Sequence, residues 1–215
     1  MIELPVYETK LPVKNKIVEF CPLVVKEEKN ITIAKEAGSK SDSYVTFLKI
    51  LNEKFNLDFS KLTETDLIHC IIELRKKSIG EQIQIKFNCP FSQQDVITSF
   101  NCNDITLKGS SYSKKIKISD YIIEITVPHS KNIVVSSIKN IETSKQKIEF
   151  STLLKEKKEE LVDSLPINIK NEIEKACNDL YHYSYDLTYT SDREHKIEIR
   201  SAEDFFTLFF AMQTL

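Results

Sequence analysis

Five cysteines, Cys21, Cys70, Cys89, Cys102 and Cys177, and four histidines, His69, His129, His182 and His195, carry the most versatile chemistry in this 215-residue chain. A thiol nucleophile needs a lowered pKa and a neighbouring base. Cys70 and Cys177 fall on apolar stripes of expected helices, where cysteine behaves as a small space-filling residue. Cys21 precedes a helix start, which favours a thiolate, but the local sequence supplies no base. A zinc ribbon needs two knuckles of paired ligands. Cys89-Pro90 stands where a first knuckle begins, yet Phe91-Ser92-Gln93-Gln94 brings no second ligand. His182 and His195 sit 13 positions apart on separate expected strands. The adjacent carboxylates Glu27-Glu28, Glu159-Glu160 and Glu203-Asp204 would point about 100° apart on a helix, which does not make an acid–base dyad. The expectation is no catalytic residue, no bound metal and no cofactor.

Composition narrows the classes further. Only Gly38, Gly80 and Gly109 are glycines, no two closer than 29 positions. Phosphate loops and dinucleotide turns need several glycines within one turn, so both are excluded. Net charge is −2, with 27 lysines and three arginines among the 30 basic residues. This balance gives no electrostatic reason to bind nucleic acid. The basic runs Lys26 to Lys29 and Arg75 to Lys77 are interleaved with acids or close a helix, without aromatic platforms for single strands. Odd, widely spaced cysteines fit free thiols in a reducing cytoplasm better than a disulfide scaffold. Met1-Ile2-Glu3-Leu4-Pro5 opens no signal-type apolar run, and no stretch approaches the roughly 20 apolar residues of a membrane span.

The elements follow from the hydrophobic period. Pro5 and Pro12 flank a short strand at 6–9, and 17–20 returns as its partner. Pro22 suits the first turn of a helix running to about Ala37, with Gly38 as its stop. Ser41 or Asp42 is an N-cap candidate for the next helix, whose stripe is Tyr44, Phe47, Leu48, Leu51 and Phe55. A third helix starts at Thr63, with Asp66 three residues on in a capping-box-like spacing, and buries Leu67, Cys70, Ile71 and Leu74 before Gly80 closes it. From Ile83 to Val127 the period becomes two, which predicts an antiparallel meander. The polar stretch 129–147 reads as a linker. Two helices follow, on Leu153, Leu154, Leu161 and Leu165 and on Ile169, Ile173, Ala176, Cys177 and Leu180, with 155–160 as a solvated charged face. Tyr183, Tyr185, Leu187 and Tyr189 mark a strand, turned at Ser191-Asp192 into another. The last helix, 202–212, carries Phe205, Phe206, Leu208, Phe209 and Phe210, apolar over most of its circumference. Such a helix is buried in its own domain, docks on a partner, or does both.

The predicted fold class is α+β. An N-terminal hairpin and helices pack on an antiparallel meander (1–128). A linker (129–147) leads to a smaller helix–helix–hairpin–helix unit (148–215).

Three segments in order carry a resemblance. They are Phe20-Cys21-Pro22-Leu23-Val24-Val25-Lys26-Glu27-Glu28-Lys29, then Leu74-Arg75-Lys76-Lys77-Ser78-Ile79-Gly80-Glu81 with a strand ending Asn88-Cys89-Pro90, and Asp204-Phe205-Phe206. Together they resemble the baseplate hub subunits of T4-like contractile-tailed bacteriophages over nearly the whole chain. Two departures stand out: Cys21 replaces an arginine common in relatives, and cysteine pairs of the middle strands and terminal hairpin are reduced to Cys89. The resemblance implies a non-enzymatic structural or assembly protein of the tail baseplate hub. It also implies partners among the other hub proteins and the tape-measure protein, and residence in the host cytoplasm during assembly and in the virion baseplate. A transient assembly chaperone is the alternative, with a zinc-ribbon-like adaptor or a cysteine hydrolase behind it. The motif and partner-binding candidates are Pro22, Val25, Lys26, Glu27, Glu28, Arg75, Lys77, Ser78, Gly80, Glu81, Phe205, Phe206, Phe209 and Phe210.

Overall fold

The computed structural model describes residues 3–37, 40–129 and 132–211. In chain order the elements are β1 (Tyr7–Lys10), β2 (Ile17–Phe20), α1 (Val25–Ala37), α2 (Lys40–Phe55), α3 (Glu64–Ser78), β3 (Gln82–Asn88), β4 (Asp95–Asn101), β5 (Thr106–Lys108), β6 (Ser113–Ile118), β7 (Tyr121–Thr126), α4 (Ile133–Ser137), β8 (Ile138–Glu142), β9 (Lys147–Glu149), α5 (Lys155–Asp163), α6 (Ile167–Cys177), β10 (His182–Thr190), β11 (Glu194–Ile199) and α7 (Ala202–Phe206). A π-helical turn, Thr207–Ala211, continues α7. The fold class is α+β.

The chain forms two compact units, and the first is built from three stretches, within 1–62, 66–106 and 183–215. Its core begins with the β1–β2 hairpin, in register from Tyr7 opposite Phe20 to Lys10 opposite Ile17. The inward residues Val18 and Phe20 are buried. Phe20 stacks on Phe55 at 4.6 Å, and Phe55 meets Phe59 edge-on at 5.9 Å. Helix α2 buries Phe47, Ile50, Leu51 and Phe55, while α3 buries Ile68, Cys70, Ile71 and Leu74. Both follow helical spacing, so each presents one apolar face to the same core. Strands β3 and β4 pair from Gln82 opposite Asn101 to Asn88 opposite Asp95 and turn Ile83, Ile85, Val96 and Phe100 inward. Strands β10 and β11 pair antiparallel through Tyr185–Ile199 and Thr190–Glu194.

The second unit comprises 63–65 and 107–182. Its sheet is antiparallel, in the order β6-β7-β8-β9. The inner strand β7 buries Ile123 and Ile125. Helix α6 packs on α4, β6 and β7 through Ile169, Ile173, Ala176 and Cys177. Gly109 is required here for two reasons. Its φ is +84°, and a Cβ would stand 2.1 Å from the Leu180 carbonyl oxygen. This approach lets Ser110 N donate to Asp179 O and Tyr181 N donate to Ser111 O.

Several expectations change. The expected boundaries at 128 and 148 do not coincide with the units, because β10, β11 and α7 complete the core begun by the N-terminal segments. The stretch read as a linker, 129–147, holds α4, β8 and the start of β9. The strands read as one meander divide between the β3–β4 hairpin and the β6–β9 sheet. Pro22 lies three residues ahead of α1 instead of in its first turn. Ser41 and Asp42 lie inside the first turn of α2, which already runs from Lys40. Asp66 accepts from Val13 N through Oδ1, tying α3 to the β1–β2 loop. Leu153 and Leu154 precede α5 instead of lying on it. Gly38 and the end of the terminal helix at Met212 lie outside the described residues.

Candidate functional site

The segment ahead of α1 touches the end of α3. Glu27 folds back to accept from Val24 N at 2.8 Å, which satisfies a free donor at the helix start. The same carboxylate pairs with Lys54 Nζ at 2.8 Å in a largely sheltered position. Leu23 N donates to Ser78 Oγ at 2.8 Å. Arg75 is only 2% exposed and meets carbonyl oxygens: Nη1 donates to Gly80 O at 2.9 Å and Nη2 to Gln82 O at 3.2 Å. Its Nε has no partner among the described residues. Burial lowers the Arg75 pKa, against the opposing pull of Cys102 and Glu28. Gly80 adopts φ +120° and donates from N to Arg75 O, so this arginine and glycine together make the turn from α3 into β3. Lys77 Nζ lies 5.1 Å from the Tyr7 ring centroid, a cation–π distance. Glu81 Oε2 accepts from Asn103 Nδ2 at 2.9 Å.

Val25, Lys26 and Glu28 point outward. Helix α1 buries only Ile31 among its 13 residues. Val25 is 67% exposed and Ile33 60%, with Lys26, Glu28, Lys29 and Thr32 also exposed. Val25, Lys29 and Ile33 follow i, i+4, i+8 and share one solvent-facing stripe. Pro22 is half-buried ahead of it.

The C-terminal aromatics are built into the first unit. Ser201 and Asp204 cap α7 reciprocally, a capping box that the spacing Ser-x-x-Asp signals. Phe205, Phe206 and Phe209 are buried, and Phe210 is half-buried. Phe206 lies 4.8 Å from the Phe47 ring and 5.4 Å from Tyr44, while Phe210 lies 4.9 Å from Phe47. Of the two readings open for this helix, the structure shows burial for these three rings.

Cys89 occupies a turn stabilised by donors to sulfur. Its Sγ accepts from Ser191 Oγ at 3.4 Å and Ser92 N at 3.5 Å, and lies 3.5 Å from Tyr189 Oη. Gln93, at φ +59°, donates from N to Cys89 O and closes the turn. Burial opposes ionisation of this thiol most strongly, but Ser191, Ser92 and Tyr189 together outweigh it and bring the pKa down to about 6. Nearby, His195 Nε2 donates to Asp192 Oδ1 at 2.7 Å. That bond, with one from Ser191, holds the Asp192 carboxyl down at about 2. Phe91 and Tyr189 both stack on His195, at 4.8 and 5.4 Å. Cys89 itself is fully buried, so a nucleophilic role would require the turn to open.

Burial pushes Cys70 well up and Cys102 to about 11. Cys177 donates to Ser137 Oγ at 3.3 Å. His69 is committed to Thr9 Oγ1 at 2.7 Å and Tyr183 Oη at 2.8 Å. Among the described residues no three His, Cys, Asp or Glu side chains are grouped to hold a metal ion. Sequence reasoning missed Ser191 and Tyr189 as partners of Cys89, because they lie about a hundred positions away.

The groups around the motif positions tie one chain segment to another. The family model described as T4 bacteriophage base plate protein matches residues 4–207, and the chain belongs to that family. It is thus a T4-like phage baseplate protein, of a structural family whose members meet other baseplate proteins in the virion tail. No curated protein and no solved structure matches it. Among the described residues no helix is long and apolar enough to cross a membrane.

Proposed function

We propose that the chain is a structural or assembly subunit of the baseplate hub, working through protein–protein contacts and without catalysis. It folds in the host cytoplasm and meets other hub proteins and the tape-measure protein. The family match over 4–207 supports the baseplate part of this reading. The order of the three hub-like segments along the chain supports the hub as its place.

The motif then divides by role. Glu27, Arg75, Ser78 and Gly80 hold the frame, and Val25, Lys26 and Glu28 on α1 face partners. Phe205, Phe206, Phe209 and Phe210 support that frame from within the first unit. A helix with one buried residue in 13 draws little stability from its own unit, which suits a surface covered on assembly. Pull-down of hub and tape-measure proteins by a V25D/I33D chain tests this. Loss of capture with an unchanged unfolding curve is expected. Full capture by the folded variant would refute the assignment of α1. Mass spectrometry of purified virions is expected to find the chain; its absence from virions but presence in assembly intermediates would favour the chaperone reading.

A further inference from the structure

The second unit contains a cavity of about 540 Å³, within the range of about 300–1,000 Å³ that ligand sites occupy. Its walls come from α4, β8, the turn at Phe150 and α5. Val135, Ile138 and Phe150 supply apolar walls. Lys139, Lys155 and Lys158 bring three cations, against Glu159 in the lining and Glu124 behind Lys139. The protein as a whole is slightly acidic, so this local excess is not inherited from composition.

The lysines are only partly neutralised. Lys139 pairs with Glu124 at 2.8 Å, but Lys155 reaches Glu159 only at 3.9 Å, and Lys158 forms no ion pair among the described residues. Lys155 and Lys158 also stand in the first turn of α5, the end of the helix dipole that disfavours cations, with Glu156 as the acidic residue of that turn. Lysines beside an apolar-walled cavity form an arrangement that attracts negative charge.

We propose that this cavity docks an acidic–apolar peptide segment of a partner protein, its carboxylates paired by Lys155 and Lys158 and an apolar side chain seated against Val135, Ile138 and Phe150. The proposal rests on the reading of the chain as an assembly protein and names a second contact surface for it. Lys139 contributes less, being already held by Glu124.

The test is fluorescence polarisation with the full chain and a labelled pentapeptide alternating glutamate and leucine. Saturable binding is expected, weakened at least tenfold by K155E/K158E and at least tenfold by glutamine in place of glutamate in the peptide. K157E is expected to leave binding intact, because Lys157 pairs with Glu160 and does not line the cavity. Equal binding by the K155E/K158E chain, with an unchanged unfolding curve, would overturn the proposal. So would equal binding of the glutamine peptide. Inorganic phosphate that displaces the peptide at stoichiometric amounts would instead define a small-anion site and overturn the peptide assignment. The peptide arm reads the cavity alone, whereas presence in tails reads the baseplate role, so the two fail separately.

Discussion

Phe206→Ala is the most informative single perturbation of the first unit. The ring is 1% exposed and contacts Phe47 at 4.8 Å, Tyr44 at 5.4 Å and Phe210 at 6.1 Å. Truncation removes the transfer free energy of a buried aromatic and leaves a cavity that rigid neighbours only partly fill, a cost of about 3–5 kcal/mol. Against a typical total of about 5–15 kcal/mol this is a large share. Urea unfolding of the full chain measures it. With a slope of about 1–3 kcal/mol per molar, the midpoint of the first unit's transition falls by roughly 1–5 M. Phe206→Leu keeps most of the volume and is expected to cost less, and Phe210→Ala less again because that ring is only half-buried. A shift of Phe206→Ala below about 1 kcal/mol, with unchanged slope, would show that α7 is not seated on α2 and would reopen this helix as a free docking element.

Three further outcomes follow from the geometry. Gly109→Ala is expected to destabilise the second unit by more than the about 1–3 kcal/mol of a strained backbone, because its Cβ would meet the Leu180 carbonyl oxygen, while Gly80→Ala, with open space around it, incurs backbone strain alone; thermal unfolding of both variants checks the order. Burial lowers the His69 pKa, opposing the pull of Glu73 and Asp66, so the unfolded chain binds more protons as pH falls below about 6.5 and stability drops from there toward the lower folded value; His69→Gln is expected to flatten that limb of a pH–stability curve. Ultraviolet titration of thiolate absorbance is expected to show one group ionising near 6 that disappears in Cys89→Ser, and retention of that step in the variant would refute the donor geometry at Cys89.

The parts that were legible in the sequence are those where one residue pattern decides the element. Strand β2 runs from Ile17 to Phe20 as its alternation requires, and Gly80 ends α3 because no other residue adopts its dihedral so cheaply. The stretch 129–147 was not legible, for local reasons. Strand β8 buries Asn140 beside Ile141, and Asn140 Nδ2 donates to Glu124 Oε2 at 2.9 Å, so its inward face does not alternate by polarity. A bulge between Glu124 and Ile125 shifts the pairing further. Helix α4 has only five residues and β9 three, too short for a period. The sulfur donors of Cys89 and the carbonyl partners of Arg75 depend on tertiary approach, which spacing does not report. Arg75 reads in the sequence as part of a basic run that closes a helix, whereas in the fold it is buried and holds the next strand in place.

Lysine-directed crosslinking of intact baseplates, read by mass spectrometry, tests the central claim most directly. The account predicts that this chain is present and that the exposed Lys26 and Lys29 of α1 crosslink to other baseplate proteins. Baseplates that lack the chain, or that contain it with every α1 crosslink internal, would contradict it.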